Sequence, residues 1–109
     1  MTPQQINTMI ESVGIPCAYH HFADDTGQQP PFICFFYGDS ADLVADNTNY
    51  ARIEPLYIEL YTDEKDFALE KQIETLLNAN DLVFRKEQTY LDDERMHETI
   101  YTTDIIMEV

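Results

Sequence analysis

The sequence is poor in the residues on which several kinds of site depend. Its three glycines, Gly14, Gly27 and Gly38, are too scattered to form a glycine-rich phosphate-binding loop. Its two cysteines, Cys17 and Cys34, form neither a paired motif nor a disulfide framework, so a reducing compartment is expected. These shortages argue against a nucleotide-binding loop of that kind and against a disulfide-stabilised fold.

Long apolar runs and basic residues are scarce as well. No segment approaches the ~18 apolar residues of a membrane span, and the first residues lack the basic and apolar regions of a signal peptide. We therefore expect an intracellular protein without membrane contact. Six Lys and Arg residues against 21 Asp and Glu residues give a net charge of −15, which repels nucleic acid. The simplest interpretation of this charge is a solvated surface.

What the sequence does contain predicts a single α+β domain over residues 1–109. Hydrophobic residues make up 44% of the chain, enough for one core. Between Arg52 and Thr62 apolar residues occupy alternate positions, which predicts a half-buried strand with two different faces. One face carries Leu56, Ile58 and Leu60, and the other carries Tyr57, Glu59 and Tyr61.

The residues after this strand predict a helix. Its apolar stripe consists of Leu69, Ile73, Leu76 and Leu77. We expect Asp63 to be the N-cap and the helix to end near residues 78–80, where asparagines tolerate the left-handed conformation. A strand whose apolar face can be covered by the following helix is the nucleus of an α+β domain.

The remaining elements follow from similar patterns. A capping box predicts a helix over 2–13, and apolar runs predict strands over 17–22 and 32–37, with a further short one at 43–45 and a turn over 46–49. The last quarter predicts a hairpin with its tip at Leu91 to Arg95 and with arms that extend past the core. The expected order is α-β-β-(β)-β-α-β-β, in a mixed or mainly antiparallel sheet of four to five strands with two helices packed on it. Pro55 suggests an edge or a bulge.

Metal and catalytic sites have weak support. Cys17, His20, His21 and Cys34 are the only metal-like set, but along a strand Cys17 and His20 would point to opposite faces. A cysteine–histidine nucleophile pair drawn from the same residues would need a third group to orient the histidine, and the sequence points to none. The abundant carboxylates fall mostly in loops. We therefore predict no metal, no cofactor and no enzymatic activity, and a small Cys/His enzyme or metal protein is the weakest alternative.

The tyrosines are more informative than the acids. If the helix covers the Leu56 side of the strand, the side with Tyr57, Glu59 and Tyr61 is left for water, for a partner, or for another part of the same chain. Tyrosine is enriched at protein interfaces. The candidate subunit-interface residues are Tyr57, Glu59, Tyr61, Tyr90 and Tyr101.

A resemblance to a known family rests on the whole pattern rather than on one motif. It is carried by Val13-Gly14-Ile15-Pro16, Ala18-Tyr19-His20-His21-Phe22, Pro30-Pro31-Phe32-Ile33, Ala45-Asp46-Asn47 and Ile58-Glu59-Leu60-Tyr61-Thr62-Asp63, followed by a Glu-rich helix and a long hairpin. In this pattern the chain resembles the small tail-completion proteins of long-tailed phages and prophages of Gram-positive bacteria. These are tail terminators and head–tail joining proteins.

The resemblance implies a non-enzymatic role in virion assembly. The implied fold is an α+β sandwich, and the implied working form is a homo-oligomeric ring, typically a hexamer, that terminates the tail tube or joins tail to head. Its partners would be other tail or connector proteins. It would be found in the host cytoplasm during assembly and then in the virion tail.

The charge fits such a ring and also fits a second function. Carboxylates that line a bore would let DNA pass without binding, and the candidate bore or loop residues are Asp24, Asp25, Asp92, Asp93 and Glu94. The alternative is an acidic DNA mimic that inhibits a nucleic-acid-binding protein of the host. That function needs acids spaced like phosphates on one continuous face.

Overall fold

The computed structural model describes residues 1–22, 27–39, 43–45 and 48–107. At 43–45 and 48–51 it describes the backbone alone. These residues form two helices and seven strands. In chain order they are α1 (Pro3–Glu11), β1 (Cys17–Tyr19), β2 (Phe32–Tyr37), β3 (Leu43–Ala45), β4 (Thr48–Ala51), β5 (Ile53–Thr62), α2 (Phe67–Ala79), β6 (Phe84–Leu91) and β7 (Met96–Ile106). The α+β class is confirmed, whereas the predicted order lacked β4. Thr48 and Asn49, which were predicted to turn, lie in that strand.

Five of the strands form one mixed sheet. Their spatial order is β1-β2-β5-β7-β6, with β1 and β2 parallel and all other neighbours antiparallel. β5 is therefore the central strand, paired with β2 on one side and β7 on the other. β3 and β4 pair only with each other, within the described residues.

Both helices pack on the same face of this sheet. The core beneath them combines apolar residues of the helices with every second residue of the central strands, among them Ile6, Ile10, Ile33, Leu56, Ile58, Leu60, Ile73, Leu77, Tyr101 and Ile105. Each such side chain contributes about 1.5–3 kcal/mol when it is fully buried. The predicted apolar face of β5 is thus confirmed, and so is the predicted stripe of α2.

The helix ends show one correct and one incorrect prediction. α1 begins with the predicted capping box, in which Gln5 N donates to Thr2 Oγ1 at 3.1 Å and Thr2 N donates to Gln5 Oε1 at 2.9 Å. α2 is capped by Asp66 rather than Asp63, since Asp66 Oδ1 accepts a hydrogen bond from Leu69 N at 3.0 Å. An N-cap side chain binds the amide two or three residues further on, and from Asp63 those amides belong to Lys65 and Asp66, which precede α2.

One strand differs from its prediction, and the prediction for Pro55 holds in part. β1 stops at Tyr19, because His20 adopts a left-handed conformation with φ 67°. Pro55 lies at no bulge, since β5 keeps a continuous register with β7, but on its other side the pairing with β2 ends at Leu56, so that side of β5 is an edge at Pro55, as predicted. The Pro55 carbonyl accepts a hydrogen bond from Gly38 N at 2.8 Å, so its nitrogen also faces the β2 side, just beyond the end of that strand. Because proline has no N–H to donate back to Gly38, this position makes only the one hydrogen bond, which suits the end of the β2 pairing.

The C-terminal hairpin is part of the sheet rather than an extended arm. β7 pairs with β5 as far as His97, so only the tip of the hairpin lies beyond the central strand. An ionic cluster ties the hairpin to α2. Glu70, which is 3% exposed, binds Lys65 and Lys86 at 2.8 Å, and Gln88 Nε2 donates to its Oε1 at 2.9 Å. Neither described helix is long and apolar enough to cross a membrane.

Candidate functional site

The candidate site is the face of the sheet opposite the two helices, which we call the open face. The strand registers place its residues in rows across β2, β5 and β7: Phe32, Tyr61 and Glu98; Cys34, Glu59 and Ile100; Phe36, Tyr57 and Thr102. All of these side chains except that of Cys34 are half-buried. Neither of the described helices contributes to their cover, so they shield one another.

Aromatic rings form two stacked rows on this face. In the first row, the Phe36 and Tyr57 rings stack with centroids 5.0 Å apart, and the His20 ring lies parallel to Phe36 at 5.9 Å. In the second row, the Phe32 and Tyr61 rings stack at 4.8 Å, and Phe22 meets Phe32 edge-on at 5.5 Å. The middle row, with Glu59 at its centre, lies between these two walls.

The turn after β1 brings His20 and Phe22 onto this face. The left-handed His20 redirects the chain while its N–H still donates to the Phe35 carbonyl at 2.8 Å. The backbone of Phe22 then forms a hydrogen bond with the Cys34 thiol. Cys34 is thereby covered, and its burial together with the nearby charge of Glu59 raises the pKa of the thiol.

Gly38 is what allows the Tyr57 ring to take its place. A Cβ atom at position 38 would lie 2.8 Å from Tyr57 Cε2 and 3.1 Å from Pro55 Cγ, both closer than van der Waals contact. A glycine at the end of β2 therefore allows the first aromatic row to stack closely against the sheet.

A pair of carboxyl groups lies between the aromatic rows. Glu59 and Glu98 share a side-chain hydrogen bond, and Tyr61 forms hydrogen bonds with both of them. Burial, followed by the charge and the hydrogen bond of Glu98, raises the pKa of Glu59 to about 7. Burial is also the main reason why the pKa of Tyr61 is raised. Near neutral pH, the pair therefore holds a proton between its two carboxyl groups for much of the time.

The geometry of the Glu59–Glu98 pair suits a protein contact better than the hydrolysis of a carbohydrate. Glycosidase carboxyls are about 5 Å or more apart, with the sugar between them, whereas Glu59 and Glu98 are hydrogen-bonded directly to each other. Nucleophilic cysteines have lowered pKa values, whereas burial raises the pKa of Cys17 and of Cys34.

The predicted interface residues fall in three different places. Tyr57, Glu59 and Tyr61 share the open face, on the side predicted for them. Tyr90 is 47% exposed on the other side of the sheet, where its ring contacts His97 at 5.0 Å. Tyr101 is fully buried beneath α2 and donates to Glu74 Oε2 at 2.8 Å. The structure therefore corrects the placement of Tyr101, because its side chain lies in the core, out of reach of a neighbour.

The acidic and the metal-like candidates are likewise not brought together. Asp92, Asp93 and Glu94 are exposed at the hairpin tip, whereas Asp24 and Asp25 lie outside the described residues. Cys17 packs against the core on the helix side, and Cys34 lies on the open face. In the part of the chain that the structure describes, no three His, Cys, Asp or Glu residues are grouped to hold a metal ion.

Sequence reasoning missed Glu98 and the aromatic partners of the tyrosines. The sequence carries one signal for Glu98, which is that Glu98, Ile100 and Thr102 alternate with Thr99, Tyr101 and Thr103 along β7. What the sequence lacks is the register that puts Glu98 beside Glu59.

No family model matches the chain, and no curated protein sequence matches it. The class of the protein is therefore described by its fold and its site alone. It is an α+β domain whose sheet has one face covered by helices and one open, aromatic face.

Proposed function

We propose that this protein is a non-enzymatic virion assembly protein, a subunit of a ring at the end of a phage tail that terminates the tail tube or joins the tail to the head. The observation that carries the proposal is the open face, with its two aromatic rows around Glu59. The sequence resemblance supports the phage setting. The occupant of the open face is a neighbouring copy of the chain.

The composition of the open face favours a protein contact. Its aromatic rings and Ile100 are apolar but only half-buried, so a neighbour would remove further apolar area from water. Tyr57 and Tyr61 add polar groups at the ends of rigid rings, which is typical of interfaces. An open apolar face of this kind is uncommon on monomers unless it has a binding role.

The longer free edge of the sheet, formed by β6, is less suited to the contact. β6 is an eight-residue edge strand, and most of its side chains are exposed. It carries Arg85, Lys86 and Glu87, and charges on an edge strand oppose pairing with another strand. Edge-to-edge pairing is thereby disfavoured at β6, and the other edge strand, β1, is only three residues long, which also limits such pairing. We therefore take the face of the sheet as the contact.

The charge of the chain suits the passage of DNA through such a ring. The net charge is −15, and Asp92, Asp93 and Glu94 are exposed together at one end of the sheet. With these tips directed toward the bore, the ring repels phosphates and does not hold the DNA.

Light scattering at increasing protein concentration, with and without a tail-tube protein, tests this proposal. The expected result is a mass of several times 12.7 kDa for the protein alone, or a gain of several times 12.7 kDa over the mass of the tube. Thr102→Arg places a long cation on the open face and should abolish assembly. Thr75→Arg makes the same change at an exposed position of α2 and should leave assembly intact. A wild-type protein that stays monomeric under both conditions, or a Thr102→Arg variant that still assembles, would contradict the proposal.

A further inference from the structure

We infer that contact between subunits at the open face is linked to protonation, so that the ring is tighter in mildly acidic than in mildly alkaline solution. The inference rests on the proposed ring and names what regulates it, namely the carboxyl pair Glu59–Glu98.

A neighbour that binds the open face must also contact the carboxyl pair, because of where the pair lies. Glu59 lies in the central strand, between Cys34 of β2 and Ile100 of β7. Along its own strand it lies between Tyr57 and Tyr61. Any surface that covers both aromatic rows must therefore also cover the two carboxyl groups.

The groups around the pair carry little positive charge. Cys34 faces it from β2, Tyr61 from β5 and Glu98 from β7, and none of the described Lys or Arg residues acts on Glu59. On β6, Glu87 lies beyond Ile100 in the same row, and Arg85 lies one row away, opposite Thr102. On the remaining side, the rings of Tyr57 and His20 both stack on Phe36.

A second copy of the chain has few cations to bring to the pair. The sequence contains six Lys and Arg residues. Three of them are engaged within the subunit, since Arg52 is paired with Glu54, and Lys65 and Lys86 are held by Glu70. The other three, Lys71, Arg85 and Arg95, are exposed. Burying two carboxylates without a cation costs desolvation free energy. One proton shared between the two groups removes one negative charge and forms a hydrogen bond, which lowers that cost. Contact with a second copy therefore favours the protonated pair.

The size of the effect follows from the titration of Glu59, whose pKa is raised to about 7 in the free subunit. Its protonated fraction falls from about 0.9 at pH 6 to about 0.1 at pH 8. If a contact forms only with the protonated pair, its association constant falls about tenfold over this range.

The test is the association constant measured by sedimentation or light scattering between pH 5.5 and 8.5 at constant ionic strength. Wild-type protein should lose about tenfold in affinity between pH 6 and pH 8. Glu59→Gln, with Glu98→Gln as a second variant, should make association nearly independent of pH. Glu87→Gln is the matched control, because it removes one carboxyl from the same face outside the pair and should keep the wild-type dependence.

The other outcomes are distinguishable. The inference is overturned if wild-type association does not vary with pH, or if Glu59→Gln keeps the wild-type pH dependence. Either result leaves the ring proposal itself intact. Tighter association at alkaline pH also overturns the inference and indicates a cationic group of the partner on the pair. A pH dependence that disappears in His20→Asn assigns the proton to His20 instead, since asparagine tolerates the left-handed backbone there. Absence of association at every pH overturns the ring proposal together with the inference.

Discussion

At position 59 a carboxyl group lies in the middle of a central strand, between two tyrosines of the same strand and beside a second carboxyl on the next one. Its ordinary pKa of 4.5 is raised to about 7 in the fold. The folded protein therefore binds a proton there more tightly than the unfolded chain does. By linkage, this contribution to stability is complete below pH 4.5 and is lost as the pH rises through 7.

Replacement of Glu59 by glutamine should remove this dependence. We expect the free energy of unfolding of wild-type protein to be about 1–2 kcal/mol lower at pH 8 than at pH 5 on this account, a figure reduced from the full shift because the side chain is half-exposed. Glu59→Gln should show little difference between the two pH values, as measured by urea denaturation. Glu87→Gln should behave like wild type, and a Glu59→Gln variant that still loses stability at pH 8 would contradict the expectation.

At the level of single residues, the sequence predicted which face a side chain occupies but not what lies beside it. The alternation in β5 placed Glu59 and Tyr61 opposite the helices, since the pleat alone determines this. Glu98 lies 39 positions further along the chain, and only the register of β5 with β7 brings it to Glu59. The same limit explains Tyr101, which was predicted at an interface although it lies beneath α2.

At the level of elements, local signals predicted the helices and the long strands well. α1 follows from its capping box, and α2 from its apolar stripe, because both signals act within one or two turns. β1 is shorter than its apolar pattern because His20 turns left-handed. β4 overlaps the turn predicted over 46–49 and carries no clear alternation, so its pairing with β3 was not predictable from pattern.

The cap of α2 offers a direct comparison between the predicted residue and the observed one. Asp66→Ala removes the acceptor for Leu69 N and should destabilise the fold by about 1 kcal/mol. Asp63→Ala removes the same side chain three residues earlier, where it caps nothing, and should change stability by less than about 0.5 kcal/mol. Thermal or urea unfolding of the two variants measures this, and equal losses would mean that the helix begins elsewhere in solution.

At the level of the whole molecule, the dominant property is the charge of −15. Only a few acids are paired with cations in the described residues, such as Glu54, Glu70 and Glu74. Most of the remaining negative charge repels itself across a domain whose described dimensions are 50 × 30 × 23 Å. Self-repulsion of this kind destabilises the compact state and falls with added salt.

Sodium chloride should therefore stabilise the protein at neutral pH. Between 0.1 M and 1 M the screening length falls from about 10 Å to about 3 Å. A gain of about 1 kcal/mol corresponds to a rise in Tm of about 4–8 °C for a domain of this size. Calorimetry at pH 7 measures the rise. At pH 4.1, the isoelectric point, the net charge is close to zero and the rise should largely disappear. An equal rise at both pH values would show that the salt acts by another mechanism.

The position of β7 between β5 and β6 has a consequence for biosynthesis. A ribosome releases α1, β1 and β2 first, yet the core that buries Ile6 and Ile10 also contains Tyr101 and Ile105 from the last strand. β7 can pair with β6 across a short turn, but it must reach back over α2 to pair with β5. Because short loops close at lower entropic cost, we expect β7 to pair with β6 before it pairs with β5. The core cannot be complete until β7 has been synthesised, since Tyr101 and Ile105 belong to it.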